Sequence, residues 1–307
     1  MSSISEAIGN RPLSGTLINR AHRLSHGLVG CWPLNETAGS RANDATGQGN
    51  HGSLVGLETN PWNTTNLQAS AFRSPSGPRT GLKWHILNAT EYVTIPSSPL
   101  YDTPFGTWVL WMRTRQGFTA VFPMLMARHD ATSSSSGVTL FLTSYPAHLR
   151  VQIKTTGGTV RLDLEGSTSL DDGDVGVGPD RAERLVGVTF SQHSGGPGAL
   201  WVDGRLQISG TNSGAWAFNN QEIRLGHGLD SFWARYGGAM GFVRFYNRML
   251  SADEWRELYA NPYAGFIEDE FPGAIFASGG GGGAGPGSIF ASPVFNSRIV
   301  RGRGLTH

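Results

Sequence analysis

Apolar and polar residues alternate in short bursts along most of this chain, and glycine, proline, serine and aspartate separate the bursts. The clearest burst spans residues 185–208, LVGVTFSQHSGGPGALWVDGRLQI. Val186, Val188 and Phe190 fall on one face of a strand, because strand side chains alternate with a period of two. A Gly/Ser loop leads into Ala199-Leu200-Trp201-Val202, and Asp203-Gly204 then stands between Val202 and Leu206. Asp-Gly between apolar runs predicts a type I′ hairpin, whose two central residues both need positive φ. The stretch predicts three consecutive antiparallel strands, and the rest of the chain reads as what extends or packs against that sheet.

Other predicted strands are residues 27–34, 54–55, 91–96, 121–126, 138–142, 149–153, 159–164, 223–226 and 240–246. Residues 107–113, TWVLWMR, are apolar on both faces, as a central strand requires. Residues 56–80 and 166–182 read as long loops. One helix stands out. Ser251-Ala-Asp-Glu254 is a capping box, Leu250 and Trp255 sit at the positions of a hydrophobic staple, and Pro262 stops the helix. Many short strands with one short helix predict an all-β, two-sheet sandwich.

Composition sharpens this picture. A chain of 307 residues with 43 Gly and 16 Pro suits a fold rich in turns, and 9 Trp supply a large core. The net charge of +1 gives no long-range field toward nucleic acid or an anionic membrane. No apolar run approaches the ~18 residues of a membrane span. Only Lys83 and Lys154 are lysines, so almost all basic groups are Arg, which forms planar bidentate contacts. Cys31 stands alone in an apolar run and reads as a small buried hydrophobe. The first residues, MSSISEAIGNRPLSG, lack the basic start and apolar core of a secretory signal, so the chain is expected to be made and kept in a cytoplasm until assembly or lysis.

The ends differ from the middle. Residues 1–26 show no sustained period and read as an extended arm with one helical turn. From about residue 268 the chain is Gly-rich, and Pro272-Gly-Ala-Ile-Phe-Ala-Ser278 recurs as Pro286-Gly-Ser-Ile-Phe-Ala-Ser292. Such a tail is either a flexible linker or carries two anchor segments, centred on Ile275, Phe276, Ile289 and Phe290, that dock on neighbouring subunits. The apolar pairs favour anchors. The expected organisation is an arm (1–26), a sandwich (27–267) and a tail (268–307).

Several strands, in order, resemble a known family. GLVGCWPLNETAG with NDATGQGNHGSL, then EYVTIPSS, TWVLWMRTR, LVGVTFS, ALWVDGRL, IRLGHG and GFVRFYNRMLSADEWRELY are similar to laminin-G-like domains of the concanavalin-A-like lectin/glucanase superfamily. The resemblance runs from about residue 27 to about residue 266. It implies a jelly roll of two antiparallel sheets. The ending NRMLSADEWRELYANPYAGF is most similar to versions in phage and bacterial proteins.

The chemistry is sparse. Glycosidases of the superfamily carry Glu-x-Asp-x-x-Glu on one strand face, and this chain has no such stretch. Asp163 and Glu165 share a face, with Leu162 and Leu164 as buried alternates, and read as a solvated surface. His129, His193 and His227 fall in separate loops without ligand spacing. The resemblance implies a calcium site in the first loop, with Glu36 and Asp44 as carboxylates and Gly49 offering a carbonyl. The acid that the family places before its FVRFYNR-like strand falls at Gly241 here. The alternative for Asp44 is an Asx-type turn. Glycan recognition needs an exposed aromatic platform, for which Trp62, Trp84, Trp216 and Trp233 are the candidates.

These readings combine into one leading expectation. The protein is a non-enzymatic virion surface or structural protein, a decoration or fibre-type subunit. Its terminal arms hold it to other copies or to other virion proteins, and neither nucleic acid nor membrane is a partner. The alternative is a carbohydrate-binding adhesin acting outside the cell or at its surface. A glycosidase is disfavoured by the missing carboxylate pattern.

Overall fold

In a computed structural model, Asp203 and Gly204 have φ of 51° and 72°, the type I′ geometry that the hairpin requires. The structure describes residues 17–36, 39–56, 82–83, 91–114, 122–129, 137–143, 147–155, 157–170, 183–218, 220–229 and 232–266. The chain divides into two units, Met1–Asp269 and Glu270–His307, and every described residue belongs to the first.

The described strands, in chain order, are β1 (Leu28–Trp32), β2 (Arg41–Ala42), β3 (Gly52–Val55), β4 (Leu82–Lys83), β5 (Tyr92–Ile95), β6 (Phe105–Thr114), β7 (Pro123–His129), β8 (Gly137–Leu142), β9 (His148–Lys154), β10 (Val160–Ser169), β11 (Arg184–Ser191), β12 (Pro197–Val202), β13 (Arg205–Thr211), β14 (Ile223–Leu225), β15 (Ala234–Arg235) and β16 (Gly238–Tyr246). The helix α1 spans Ala252–Ala260. A seven-stranded sheet has the order β1-β16-β6-β11-β12-β13, with β4 on the end of β16. A nine-stranded sheet has the order β10-β9-β8-β7-β14-β5-β3-β2, with β15 pairing in parallel to β7. All other pairings are antiparallel, so the architecture is a jelly-roll sandwich of two sheets.

Period-two alternation builds the core between the sheets. Val186 and Val188 of β11, Leu110 of β6, Val243 and Phe245 of β16 face Leu140 of β8, Val151 and Ile153 of β9, and Ile223 of β14. The outer face of the seven-stranded sheet is covered as well. Val109, Trp111, Leu185, Phe242 and Tyr246 pack beneath Trp255 and Leu258 of α1, with Ile18, Leu24, Leu28 and Cys31. This double burial explains why β6 reads as apolar on both faces. Gly187 is required here: a Cβ would stand 2.1 Å from the Trp108 carbonyl and 2.6 Å from the Trp255 ring.

The capping box forms as the sequence dictates. Ser251 Oγ accepts from Glu254 N at 3.3 Å, and Glu254 accepts from Ser251 N at 2.9 Å. The segment expected to be an arm contributes a short 3-10 turn (Arg23–Ser25), and Ile18 bridges antiparallel to Phe266. Both ends of the described chain therefore lie on the back of the seven-stranded sheet. Arg244 clamps this junction. It alternates onto the outer face of β16, yet it is buried, donating to the carbonyls of Pro262 at 2.7 Å and Ala264 at 3.0 Å between the rings of Phe242 and Phe266.

Candidate functional site

The first loop answers the calcium expectation geometrically. Asp44 Oδ1 accepts from Cys31 N at 3.1 Å, Thr46 N at 3.0 Å and Thr46 Oγ1 at 2.8 Å. Its Oδ2 accepts from Thr46 Oγ1 at 2.7 Å and Asn50 N at 3.3 Å. The bond to Thr46 N, two residues on, is an Asx turn. Glu36 Oε1 accepts from Asn43 N at 2.6 Å and Asn43 Nδ2 at 2.9 Å, while its Oε2 is buried with no hydrogen-bond partner. The Gly49 carbonyl accepts from His51 N at 2.9 Å. Among the described residues no group of three or more His, Cys, Asp or Glu is arranged to hold a metal ion. A cation would have to displace the donors already on Asp44, so this donor set fits the Asx turn and does not fit calcium.

The tryptophans divide. Trp62 and Trp84 lie outside the described residues, as do Ile275, Phe276, Ile289 and Phe290. Trp216 is 6 % exposed, belongs to the central core and donates Nε1 to the Ser191 carbonyl at 2.9 Å, so its ring offers no platform. Trp233 is 4 % exposed and packs on Phe141 with ring centroids 4.8 Å apart. Both are drawn inward because a loop indole covers more apolar area by closing over a sheet than by facing water. His129, expected in a loop, ends β7 and is buried, accepting from Leu229 N at 3.1 Å.

Trp233 nevertheless marks a site. It lies on the outer face of the nine-stranded sheet, where Met124, Ala127, Phe141 and Trp233 form a small apolar cluster with Phe122 and Leu229. Its neighbour Phe232 is the exposed ring, 61 % accessible. That ring stacks on Phe122 at 5.9 Å and makes an edge contact to Trp233 at 5.0 Å. Beside the cluster, the outward residues of β9 and β10 form a polar fan. Arg150 donates two bonds to Asp163, at 2.8 and 2.7 Å, and Gln152 Nε2 donates to the same carboxylate at 2.8 Å. Glu165 approaches Arg150 at 3.6 Å and His148 at 3.5 Å. The Arg150 guanidinium also lies 5.9 Å from the centroid of the Phe141 ring, which joins fan to cluster. This pairing holds the Asp163 carboxyl below the usual carboxylate range against the opposing effect of its partial burial.

The register shows how the sheet assembles this face. Asp163 opposes Gln152, Gln152 opposes Thr139, Thr139 opposes Ala127, Ala127 opposes Arg224, and Arg224 opposes Thr94. A transverse row of mostly polar side chains thus crosses the front of the molecule. Arg224 ends near a second aromatic group, 4.5 Å over the Tyr92 ring, and is bonded to Glu222 at 2.8 Å. Asp163 and Glu165 are surface residues, as the alternation predicts, with Leu162 and Leu164 buried behind them. Sequence reasoning passed over Phe232, Arg150 and Gln152. The adjacent aromatics Phe232-Trp233 in a loop were the one local signal.

Residues 87–254 match the family model described as the concanavalin A-like lectin/glucanases superfamily. The chain belongs to this superfamily. Comparison with curated protein sequences gave no match. Among solved structures, the lectin-like fold is similar to the binding domain of Paraclostridial Mosquitocidal Protein 1, with 14 % identity, a TM-score of 0.53 and 76 % of this chain aligned to 52 % of that one. It is also similar to the binding domain of Botulinum neurotoxin DC in complex with rat synaptotagmin II, with 10 % identity, a TM-score of 0.54 and 76 % aligned to 51 %. The chain therefore spans about half the length of these structural relatives. At such identities the likeness is one of fold.

Proposed function

We propose that this protein is a non-catalytic, carbohydrate-binding lectin-like module that reads its ligand with the front of the nine-stranded sheet. The observation that carries this reading is the exposed Phe232 ring, packed on Phe122 and Trp233 beside the Arg150–Gln152–Asp163 fan. Sugars present hydroxyl edges to planar polar side chains and C–H faces to aromatic rings, and this surface offers both. The fan is preorganised by its own hydrogen bonds, which reduces the ordering cost of binding. The same bonds argue against glycosidase chemistry at this face, since Asp163 and Glu165 are engaged by Arg150 and lie two residues apart on one strand. The two structural relatives are themselves binding domains, which supports a recognition role.

The setting we propose is the surface of a virion. The duplicated PG(A/S)IFAS segments support attachment through the tail. So does the polarity of the domain, in which the Ile18–Phe266 junction sits on the back and the polar fan on the front. A domain held from behind presents its front outward.

A glycan array probed with the full chain tests the binding role, followed by titration of the best ligand against wild type and Phe232→Ala. Selective binding that weakens at least about tenfold in Phe232→Ala, at unchanged melting temperature, is the expected result. No selective binding, or binding indifferent to both Phe232→Ala and Arg150→Ala, overturns the assignment.

A further inference from the structure

A histidine accepts a hydrogen bond only through a ring nitrogen that carries no proton. His22 Nδ1 accepts in this way from Leu24 N at 3.2 Å, and His51 Nδ1 from Asp44 N at 3.1 Å. Both of those rings are half-buried, with water in reach. His129 Nε2 accepts from Leu229 N at 3.1 Å, and His129 is wholly buried. Its neutral form is therefore part of the closed structure, with the ring proton on Nδ1.

This bond ties the chain just after β14 to the end of β7. Leu229 packs with Phe122 against the cluster of Met124, Ala127, Phe141 and Trp233. Phe232 in turn lies against Phe122 and Trp233. The position of Leu229 thus bears on the ground under the exposed ring. His227, two residues before Leu229, makes the opposite kind of bond. Its Nδ1 lies 2.5 Å from the Gly228 carbonyl, which can only accept, so Nδ1 already carries a proton and a second proton on the ring leaves this bond in place.

We propose that His129 is a positioning residue that makes the Phe232 face acid-sensitive: the neutral imidazole holds Leu229 in place, and protonation of Nε2 lets it go. Protonation sets two N–H groups against each other and puts a positive charge where water does not reach. The described charged groups on the surrounding elements are positive on balance, which opposes a further charge. On β14, Arg224 is paired with Glu222 at 2.8 Å. Across the sheet, His129 opposes Gly137, and Gly137 opposes Lys154 of β9. Arg128, the preceding residue of β7, pairs with Asp102 and donates to the Tyr101 carbonyl at 2.9 Å. His227 adds positive charge in acid.

The sign follows from the acceptor role. Closure is complete above the ordinary histidine range, at about pH 6.5, and is lost as the pH falls through it. One linked proton weakens closure by at most about tenfold per pH unit. Arg224 still donates to the Gly228 carbonyl at 3.2 Å in acid, so the release is local. The consequence for binding rests on the reading of the front as a glycan face: ligand is held at neutral pH and released in acid. The latch itself belongs to the fold and is measurable without ligand.

Amide hydrogen exchange of the full chain tests the proposal, read as the protection of Leu229 N–H relative to the unstructured rate at each pH from about 8 to about 5. In wild type, protection is expected to be constant above about pH 7 and to fall about tenfold or more by about pH 5, while the amides of β11 keep theirs. His129→Gln offers a side-chain carbonyl that does not titrate, and is expected to keep Leu229 protected throughout. His129→Ala is expected to lose that protection at every pH, again with β11 unchanged. His227→Gln is expected to keep the wild-type pH dependence. Protection of Leu229 that ignores pH in wild type, or acid sensitivity that persists in His129→Gln or vanishes in His227→Gln, overturns the proposal. A glycan array run at about pH 7.5 and about pH 5 separates the two readings. No selective binding at either pH overturns the glycan reading alone, since the exchange result stands without it. Selective binding of equal strength at both, with Leu229 released in acid, overturns the coupling of the latch to the face.

Discussion

Glu183 precedes β11 with its carboxyl beneath the back of the seven-stranded sheet, only 7 % exposed. Oε2 accepts from Trp111 Nε1 at 2.9 Å, and Oε1 is buried with no hydrogen-bond partner. Burial penalises the charged form and pushes the carboxyl up from 4.5 to about 8. The Trp111 hydrogen bond and the Arg113 charge oppose that shift without cancelling it. The folded protein therefore keeps a proton that the unfolded chain releases above its ordinary value. The stabilising contribution is full below about pH 4.5 and is lost as the pH rises toward about 8. At 1.36 kcal/mol per pKa unit the loss across that window is up to about 5 kcal/mol, and relaxation around the ionised group lowers it. Glu183→Gln removes the titration and keeps an acceptor for Trp111. Urea unfolding of both proteins at intervals from about pH 5 to about pH 9 measures the difference directly. The variant is expected to be similar to wild type, or weaker by about 1 kcal/mol, at the acid end and clearly more stable at the alkaline end. A stability difference that stays flat across this range would refute the assignment of an uncompensated buried carboxyl.

Asp44→Ala strips the acceptor from Cys31 N, Thr46 N, Thr46 Oγ1 and Asn50 N, and is expected to lower stability by about 2–4 kcal/mol in thermal or urea unfolding. Because those donors occupy both oxygens, added calcium is expected to leave the wild-type melting temperature unchanged; an upward shift that Asp44→Ala abolishes would show instead that a cation takes their place. Removing residues 268–307 is expected to leave the melting temperature and glycan binding of the remaining domain intact while abolishing incorporation into the particle; unchanged incorporation would remove the tail from the proposed attachment.

What the chain alone determines is local. Alternation of period two, positive φ at Asp203-Gly204 and the Ser251–Glu254 capping box depend on residues within a few positions of one another, so they could be read directly and the structure bears them out. The lectin-like sandwich was legible because these local signals occur in order. Burial was not legible where partners are remote in sequence. Arg244 follows the alternation of β16 onto an outer face, but the turn at residues 262–264 closes over it and supplies carbonyls in place of water. Trp216 and Trp233 read as loop aromatics, and the sheets draw them inward. Asp44 reads either as a metal ligand or as a turn residue until the Cys31 amide, thirteen positions away, is seen to point at it. The candidate face itself exists only in three dimensions. Arg150 and Asp163 meet through strand pairing, and Phe232 comes from some seventy residues further on. Local rules place each side chain on a face of its strand, and only the register between strands decides which faces become one surface.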